Sequence, residues 1–145
     1  MTCLLGDKSY TYSGIKRIPE KMPKTVKNIQ EQLQDAVSQL SKNHPKFNGC
    51  FCNLYVDGTN VIGAHSDDEK DLDPNAFIAS VSFGAERFFD IHPIKGGNRV
   101  MRIELKSGSV LLMGKNMQKL YKHSVPKQTK VKKTRINLTF RCFVS

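Results

Sequence analysis

No stretch of this chain is apolar for long enough to cross a membrane. The opening residues, MTCLLGDK, hold no long apolar segment of the kind that directs secretion. There is no C-x-x-C either. The four cysteines are Cys3, Cys50, Cys52 and Cys142, and the one close pair is a C-x-C. That spacing excludes the zinc-ribbon and dithiol motifs read from sequence and predicts free, mostly buried thiols in a reducing compartment. Internal repeats, low-complexity segments and linker-like stretches are also absent, so the 145 residues are expected to form one domain. The expectation is an intracellular protein, nuclear or cytoplasmic, not secreted, with no membrane partner.

Acidic residues are missing from the last third. After Glu104 there is no Asp or Glu, whereas Lys106, Lys115, Lys119, Lys122, Lys127, Lys130, Lys132, Lys133, Arg135 and Arg141 all lie there. The formal net charge is +10. A basic block this long favours a polyanionic partner, most simply nucleic acid, over a surface that is merely soluble. Lys130, Lys132 and Lys133 fit a phosphate-contacting loop or plain surface better than a nuclear address.

Pro23 opens a helical pattern in which Val26, Ile29, Leu33, Val37 and Leu40 recur every three or four residues, predicting one amphipathic helix over 23–43. Residues 1–21 read as irregular, with a short strand possible around Tyr10 and Tyr12. From residue 48 the periodicity changes to short apolar runs broken by Gly and Asn: FCNLYV, FIASVSF, RFFDIHPI, VMRIEL, SVLLM and RINLTFRCFV. Many short strands with such turns predict an antiparallel sandwich or barrel, with the helix packed outside it. Phe88 and Phe89 should face opposite sides of their strand, and Met101 and Met113 are expected in the core.

The segment GAHSDDE sets His65 and Asp67 two apart. In extended chain those side chains project to the same side, one imidazole and one carboxylate at a common spot. A metal site needs a third ligand. The candidates are His44, beside Pro45 and expected exposed; His92, near a turn and expected at the surface; and His123, which a barrel can bring alongside. Two histidines and one carboxylate leave open positions on a metal, the arrangement of non-haem Fe(II) oxygenases, although zinc can use the same ligands. In RINLTFR, Arg135, Asn137, Thr139 and Arg141 alternate with Ile136, Leu138 and Phe140. Period two puts the polar four on one face, toward water or an interior pocket, and the apolar three on the other. An arginine fork suits a carboxylate ligand, and Asn53 and Tyr55 share a face in the same way.

Together, NLYVDG, the IG-x-HSDDE segment, IASVSFGAERFF, GSVLLM, H-x-VPK and RINLTFR resemble the AlkB family of Fe(II)- and 2-oxoglutarate-dependent dioxygenases, nearest the animal branch that repairs alkylated DNA and RNA. The likeness runs over roughly residues 10–143, with the motifs in order. It implies a mainly β chain with a flanking helix, folded as a double-stranded β-helix or jelly-roll. It implies iron on His65, Asp67 and His123, with 2-oxoglutarate and O2 as co-substrates. The far carboxylate of 2-oxoglutarate would be held by Arg135, assisted by Asn53 and Tyr55, with Asn137, Thr139 and Arg141 on the same cofactor face. Tyr10 and Ser13 would line the lesion pocket at the end of a nucleotide-recognition segment, about residues 1–21. Asp68 would meet the flipped base, and Glu69 would support that loop. The implied activity hydroxylates the methyl group of 1-methyladenine or 3-methylcytosine. Formaldehyde is then lost, and 2-oxoglutarate becomes succinate and CO2.

Only nine residues precede Tyr10, fewer than the family's usual lid, and the KGGN turn is compact. Both point to single-stranded DNA or RNA as partner. The expected oligomeric state is a monomer. Tyr121 stands where related chains often carry Trp, a mild exchange. The competing expectations are a catalytically weak nucleic-acid-binding protein on the same fold and an oxygenase of the fold acting on protein or lipid.

Overall fold

The computed structural model describes residues 1–7, 9–12 and 14–144, and residues 10–12 by their backbone alone. The helix α1 runs over Lys24–Leu40 behind Pro23, and its backbone bonds close with the Ser41 N–H on the Val37 carbonyl. Its apolar stripe turns Leu33 and Val37 fully inward, with Val26 and Ile29 packed beside them. Leu40, the last position of the stripe, is 68% exposed. The helix ends there, so Leu40 lies beyond the surface that the stripe covers.

Residues 1–21 are more regular than their composition suggests. Thr2–Gly6 forms strand β1, which pairs with β4 (Gly49–Tyr55), and Tyr10–Tyr12 (β2) pairs with Ile15–Arg17 (β3). The other strands are β5 (Ile62–His65), β6 (Ile78–Gly84), β7 (Arg87–Pro93), β8 (Met101–Leu105), β9 (Val110–Met113), β10 (Tyr121–Val125) and β11 (Arg135–Arg141). A one-turn helix, α2 (Met117–Leu120), leads into β10. Two antiparallel sheets result. One has the order β1-β4-β11-β6-β9 and the other β5-β10-β7-β8. They form the two layers of a jelly-roll, the fold that the family resemblance implies and one form of the sandwich that the strand runs predict.

Period two assigns the faces. On β11, Leu138 and Phe140 point outward into a core shared with Leu33 and Val37 of α1, while Arg135, Asn137, Thr139 and Arg141 point between the sheets. Ile136, expected with the apolar set, is 45% exposed because it lies beyond the helix. A second core of Tyr55, Ile78, Phe89, Leu105, Met113 and Val125 fills the space between the layers. Phe89 belongs to it. Phe88 faces the other way, its ring 4.6 Å from the Arg102 guanidinium. Met113 is buried as expected. Met101 is not, at 54% exposed, because it begins β8 at the free edge of its sheet.

His44 also departs from expectation. It is buried, accepts the Phe77 N–H on Nε2 at 2.8 Å and stacks on the Phe77 ring at 5.2 Å. It therefore serves as a core histidine with a satisfied nitrogen. Arg87 is buried more deeply still, at 1% exposed. It donates to the carbonyls of Asp57, Asn60 and Pro126 at 3.1, 2.8 and 2.8 Å. Those bonds tie the β4–β5 turn to the basic loop before β11. Gly58 lets the two segments touch, since a Cβ there would run into the Gln128 carbonyl.

Candidate metal centre

β5 and β10 are antiparallel neighbours, and their register sets His65 directly opposite His123. The topology thus brings together two histidines far apart in sequence. Asp67 follows two residues after the end of β5. Its carboxylate lies 3.6 Å from His65 Nε2 by one oxygen and 3.8 Å from His123 Nε2 by the other. One ligand atom from each of the three residues falls within 4.8 Å of the others, the one such group of three among the described residues. His44 and His92 take no part in it.

The surroundings prepare these atoms for a metal. His65 Nδ1 donates to the Gly63 carbonyl at 2.8 Å, which leaves the Nε2 lone pair facing Asp67. His123 stacks on Phe89, ring centres 5.1 Å apart and 19° from parallel. Asp67 has its backbone N–H held by Gln118 Oε1 at 2.8 Å, and Ser66 Oγ donates to the Tyr121 carbonyl at 2.9 Å. These bonds fasten the segment after β5 to α2 and the start of β10. Burial alone would raise the Asp67 pKa, but Arg141, His65 and His123 outweigh it and hold the carboxyl well below the usual range. Burial also tends to lower the His65 pKa, yet the contacts with Asp67 and Gly63 prevail and raise it. Burial of His123 prevails over Asp67 and lowers that imidazole to about 4. A neutral imidazole and an ionised carboxylate are the forms that bind metal, so the shifts of Asp67 and His123 favour a cation, whereas His65 would lose its proton on binding one. Asp67 Oδ2 is buried without a hydrogen-bond partner, a vacancy that a cation would satisfy.

The ligands open onto a cavity of about 230 Å³ between the sheets. Asn53, Tyr55, Arg135, Asn137, Thr139 and Arg141 all line it; the alternation of β4 and β11 predicts the shared faces, and the structure turns them to the interior rather than to water. Their engagement differs. Arg141 Nη2 is ion-paired to Asp67 Oδ1 at 2.9 Å. Asn137 donates to Ser80 Oγ and the Val81 carbonyl at 2.7 and 3.1 Å and accepts from Thr139 at 2.8 Å, so it ties β11 to β6. Arg135 is 2% exposed, its guanidinium 4.8 Å from the Tyr55 ring centre. One of its nitrogens donates to Ser82 Oγ at 3.0 Å, while Nε and Nη1 have no hydrogen-bond partner. A buried cation with two open donors suits an incoming carboxylate.

Asp68 and Glu69 border a second cavity, of about 200 Å³, on the far side of the Asp67–Arg141 pair. Asp68 is exposed there. The Tyr10 backbone belongs to β2, and Ser13 lies outside the described residues. Arg17 of β3 lines the first cavity beside Thr2, and neither shows a sequence signal. Gln118, Ser80, Ser82 and the stacking role of Phe89 are equally silent in the sequence. Replacing Gln118 with Ala removes the acceptor for the Asp67 N–H. It should lower metal affinity by roughly tenfold, the usual scale for an outer partner, with the melting temperature little changed. A Co(II) titration followed by absorbance measures this.

A profile of the 2OG-Fe(II) oxygenase superfamily matches residues 2–141. The chain is 36% identical over 140 residues to the mouse (Mus musculus) DNA oxidative demethylase ALKBH2, covering 92% of this chain and 56% of the relative. It is 34% identical over 153 residues to the human (Homo sapiens) alpha-ketoglutarate-dependent dioxygenase alkB homolog 3, covering 97% and 50%. The chain therefore spans about half the length of the curated relatives it matches. Among solved structures, that of OsALKBH1 superposes with a TM-score of 0.71 at 20% identity, over 97% of this chain and 77% of the other, a likeness of fold.

Proposed function

The chain belongs to the 2OG-Fe(II) oxygenase superfamily, within its AlkB family, and from that premise we propose that it oxidatively demethylates alkylated bases in single-stranded DNA or RNA. Fe(II), 2-oxoglutarate and O2 are the family's cofactors. The observation that carries the reading is one cavity with a three-residue ligand set at one side and the open donors of Arg135 at another. Nucleic acid binding alone requires neither, so a merely binding role is disfavoured.

The donor set fits the group. His65, Asp67 and His123 would hold the iron, two imidazoles and a carboxylate being the donor set of non-haem Fe(II) oxygenases. Arg135 grips the far carboxylate of 2-oxoglutarate, with Asn53 and Tyr55 alongside. Asn137 and Thr139 keep that wall of the cavity in shape through their bonds to each other and to Ser80. Arg141 holds the Asp67 carboxylate in place. Iron with 2-oxoglutarate and O2 supplies the oxidising chemistry that hydroxylates a methyl group and yields succinate and CO2. The hydroxymethyl group then leaves the base as formaldehyde.

1-Methyladenine and 3-methylcytosine carry positive charge on the edge that normally pairs, so an exposed carboxylate such as Asp68 favours them. Glu69 supports that loop. Tyr10 and Ser13 are assigned to recognition of the lesion by the family resemblance, within a recognition segment of about residues 1–21 that belongs to the same domain. An unpaired or damaged base costs less to take out of its stack, which favours single strands. The enzyme works as a monomer, wherever its nucleic acid is, in nucleus or cytoplasm. No helix among the described residues is long and apolar enough to cross a membrane.

Of the ten cations after Glu104, Arg135 and Arg141 are buried in the cavity, whereas Lys127, Lys130, Lys132 and Lys133 are exposed on the loop before β11. The basic block thus divides between cofactor and phosphates. Changing those four lysines to Ala should reduce the slope of log affinity against log salt for a single strand by roughly 2–3, about 0.7 for each phosphate left unneutralised. Fluorescence anisotropy at several salt concentrations measures the slope.

The test of activity uses short DNA and RNA strands, each with one 1-methyladenine, incubated with the protein, Fe(II), 2-oxoglutarate and ascorbate. Mass spectrometry should show loss of the methyl mass with wild type and none with His65→Ala. Loss on neither strand, in protein that binds iron, would sink the assignment.

A further inference from the structure

Three of the four free cysteines meet on one patch of the five-stranded sheet, on the face turned away from the cavity. Cys50 and Cys52 are two apart on β4, so their side chains leave the same face. Their sulfurs are 3.9 Å apart. Cys3 of β1 is the register partner of Cys52. On the same ladder Met1 and Leu54 exchange both backbone hydrogen bonds, and the antiparallel alternation makes Cys3 and Cys52, two positions along, a pair of the same kind. Residues so paired have Cα atoms about 5.5 Å apart, inside the range of about 4.4–6.8 Å that a disulfide spans. Their Cβ atoms, toward the wide end of about 4.5–5.5 Å, exceed the roughly 3.5–4.5 Å of a relaxed bridge, so a bond between them is a strained and readily reversible one.

We propose that Cys3 and Cys52 form an oxidisable dithiol, with Cys52 the attacking thiolate and Cys3 the resolving thiol, that reacts with small disulfides. Access sets Cys52 and Cys3 apart from the other two thiols, and electrostatics sets the order between them. Cys52 and Cys3 are half-buried, whereas Cys50 and Cys142 are buried. The hydrogen bond from Cys50 holds the Cys52 thiol down at about 7, against the effect of burial. Burial, with the charge of Cys52, pushes Cys3 up to about 11. Buried Cys50 is thus the donor that activates its neighbour, which gives the C-x-C a role apart from the cavity chemistry.

With oxidised glutathione the steps balance. The Cys52 thiolate attacks one glutathione sulfur, forms a mixed disulfide and expels a glutathione thiolate. Cys3 gives up its proton and attacks the Cys52 sulfur, expelling the second glutathione. Two protein thiols are oxidised by two electrons, the reagent is reduced to two molecules of glutathione, and the two protein protons pass to them. The product clamps the edge strand β1 to β4. On their opposite faces Thr2, Asn53 and Tyr55 line the cavity.

The experiment needs no iron and no nucleic acid. The whole chain is incubated with oxidised glutathione at neutral pH, quenched with acid over time, and digested without reduction for peptide mass spectrometry. Cys52 should react at least about a hundredfold faster than Cys142, because the thiolate is the nucleophile and burial pushes Cys142 up to about 12, a difference that the greater nucleophilicity of the less acidic thiol offsets only in part. The end product should be the Cys3–Cys52 linked peptide. In Cys3→Ser, glutathione should remain on Cys52. In Cys52→Ser, Cys3 should stay reduced. Equal reaction at all four thiols in the wild-type chain, or a Cys50–Cys52 bridge in place of Cys3–Cys52, would overturn the proposal. The wild-type time course decides the matter even if a variant folds poorly.

Discussion

Asp67→Ala is expected to abolish turnover and also to weaken the metal-free fold. The first effect follows from the ligand count. Two imidazoles without their carboxylate lack the anionic ligand, so the loss should exceed the roughly tenfold to hundredfold cost of removing an outer partner such as Gln118. The second follows from Arg141. Its guanidinium lies 2.9 Å from Asp67 Oδ1, both side chains being almost wholly buried. Breaking a buried ion pair by removing one partner costs about 3 kcal/mol or more. For a domain of this size that amounts to a fall in melting temperature of roughly 10 °C. Calorimetry in the presence of a chelator reads the stability, and iron titration reads the site. An unchanged melting temperature would mean that Arg141 is held by other contacts, and iron binding at wild-type affinity would remove Asp67 from the ligand set.

Arg135→Met should act differently, and the contrast separates a group kept for a ligand from one kept for the fold. The wild-type guanidinium is buried, and two of its donors have no acceptor. Hydrogen bonds to charged groups contribute about 1.5–3 kcal/mol each. Loss of the fork should therefore raise KM for 2-oxoglutarate by about a hundredfold, while affinity for a single strand stays unchanged. The apo-protein should melt no lower than wild type, since an apolar residue of similar size replaces a desolvated cation. Arg135→Lys restores the charge but not the planar fork, so it should recover only part of the KM. A variant with normal KM and reduced kcat would assign Arg135 to some step other than cofactor binding.

The parts of the site that could be read from sequence are those set by local periodicity. Alternation along RINLTFR determines which four side chains of β11 share a face, and two neighbouring strands hold that face inward. The pairing of His65 with His123 rests on the register of β5 and β10, which no local pattern encodes. There the family resemblance, not spacing, singled out His123 over His44 and His92. The Asp67–Arg141 ion pair joins residues 74 apart and is a product of the fold. β1 was illegible because five residues ending in Gly6 carry little strand signal until β4 supplies the partner. His44 was misjudged because its position at a helix end suggested solvent, whereas the Phe77 N–H supplied the buried ring with a hydrogen bond. For Asn137 a strand pattern gives direction only, and it does line the cavity. Its amide is occupied by Ser80, Val81 and Thr139.

The central claim is that one cavity couples oxidation of 2-oxoglutarate to removal of a base methyl group. It is tested most directly by measuring succinate and formaldehyde together in reactions on a single strand carrying 1-methyladenine. The account predicts equal amounts of the two products with wild type, and neither with Asp67→Ala. Succinate without formaldehyde, at a rate that the methylated strand leaves unchanged, would contradict it and leave an oxygenase whose substrate is something other than a methylated base.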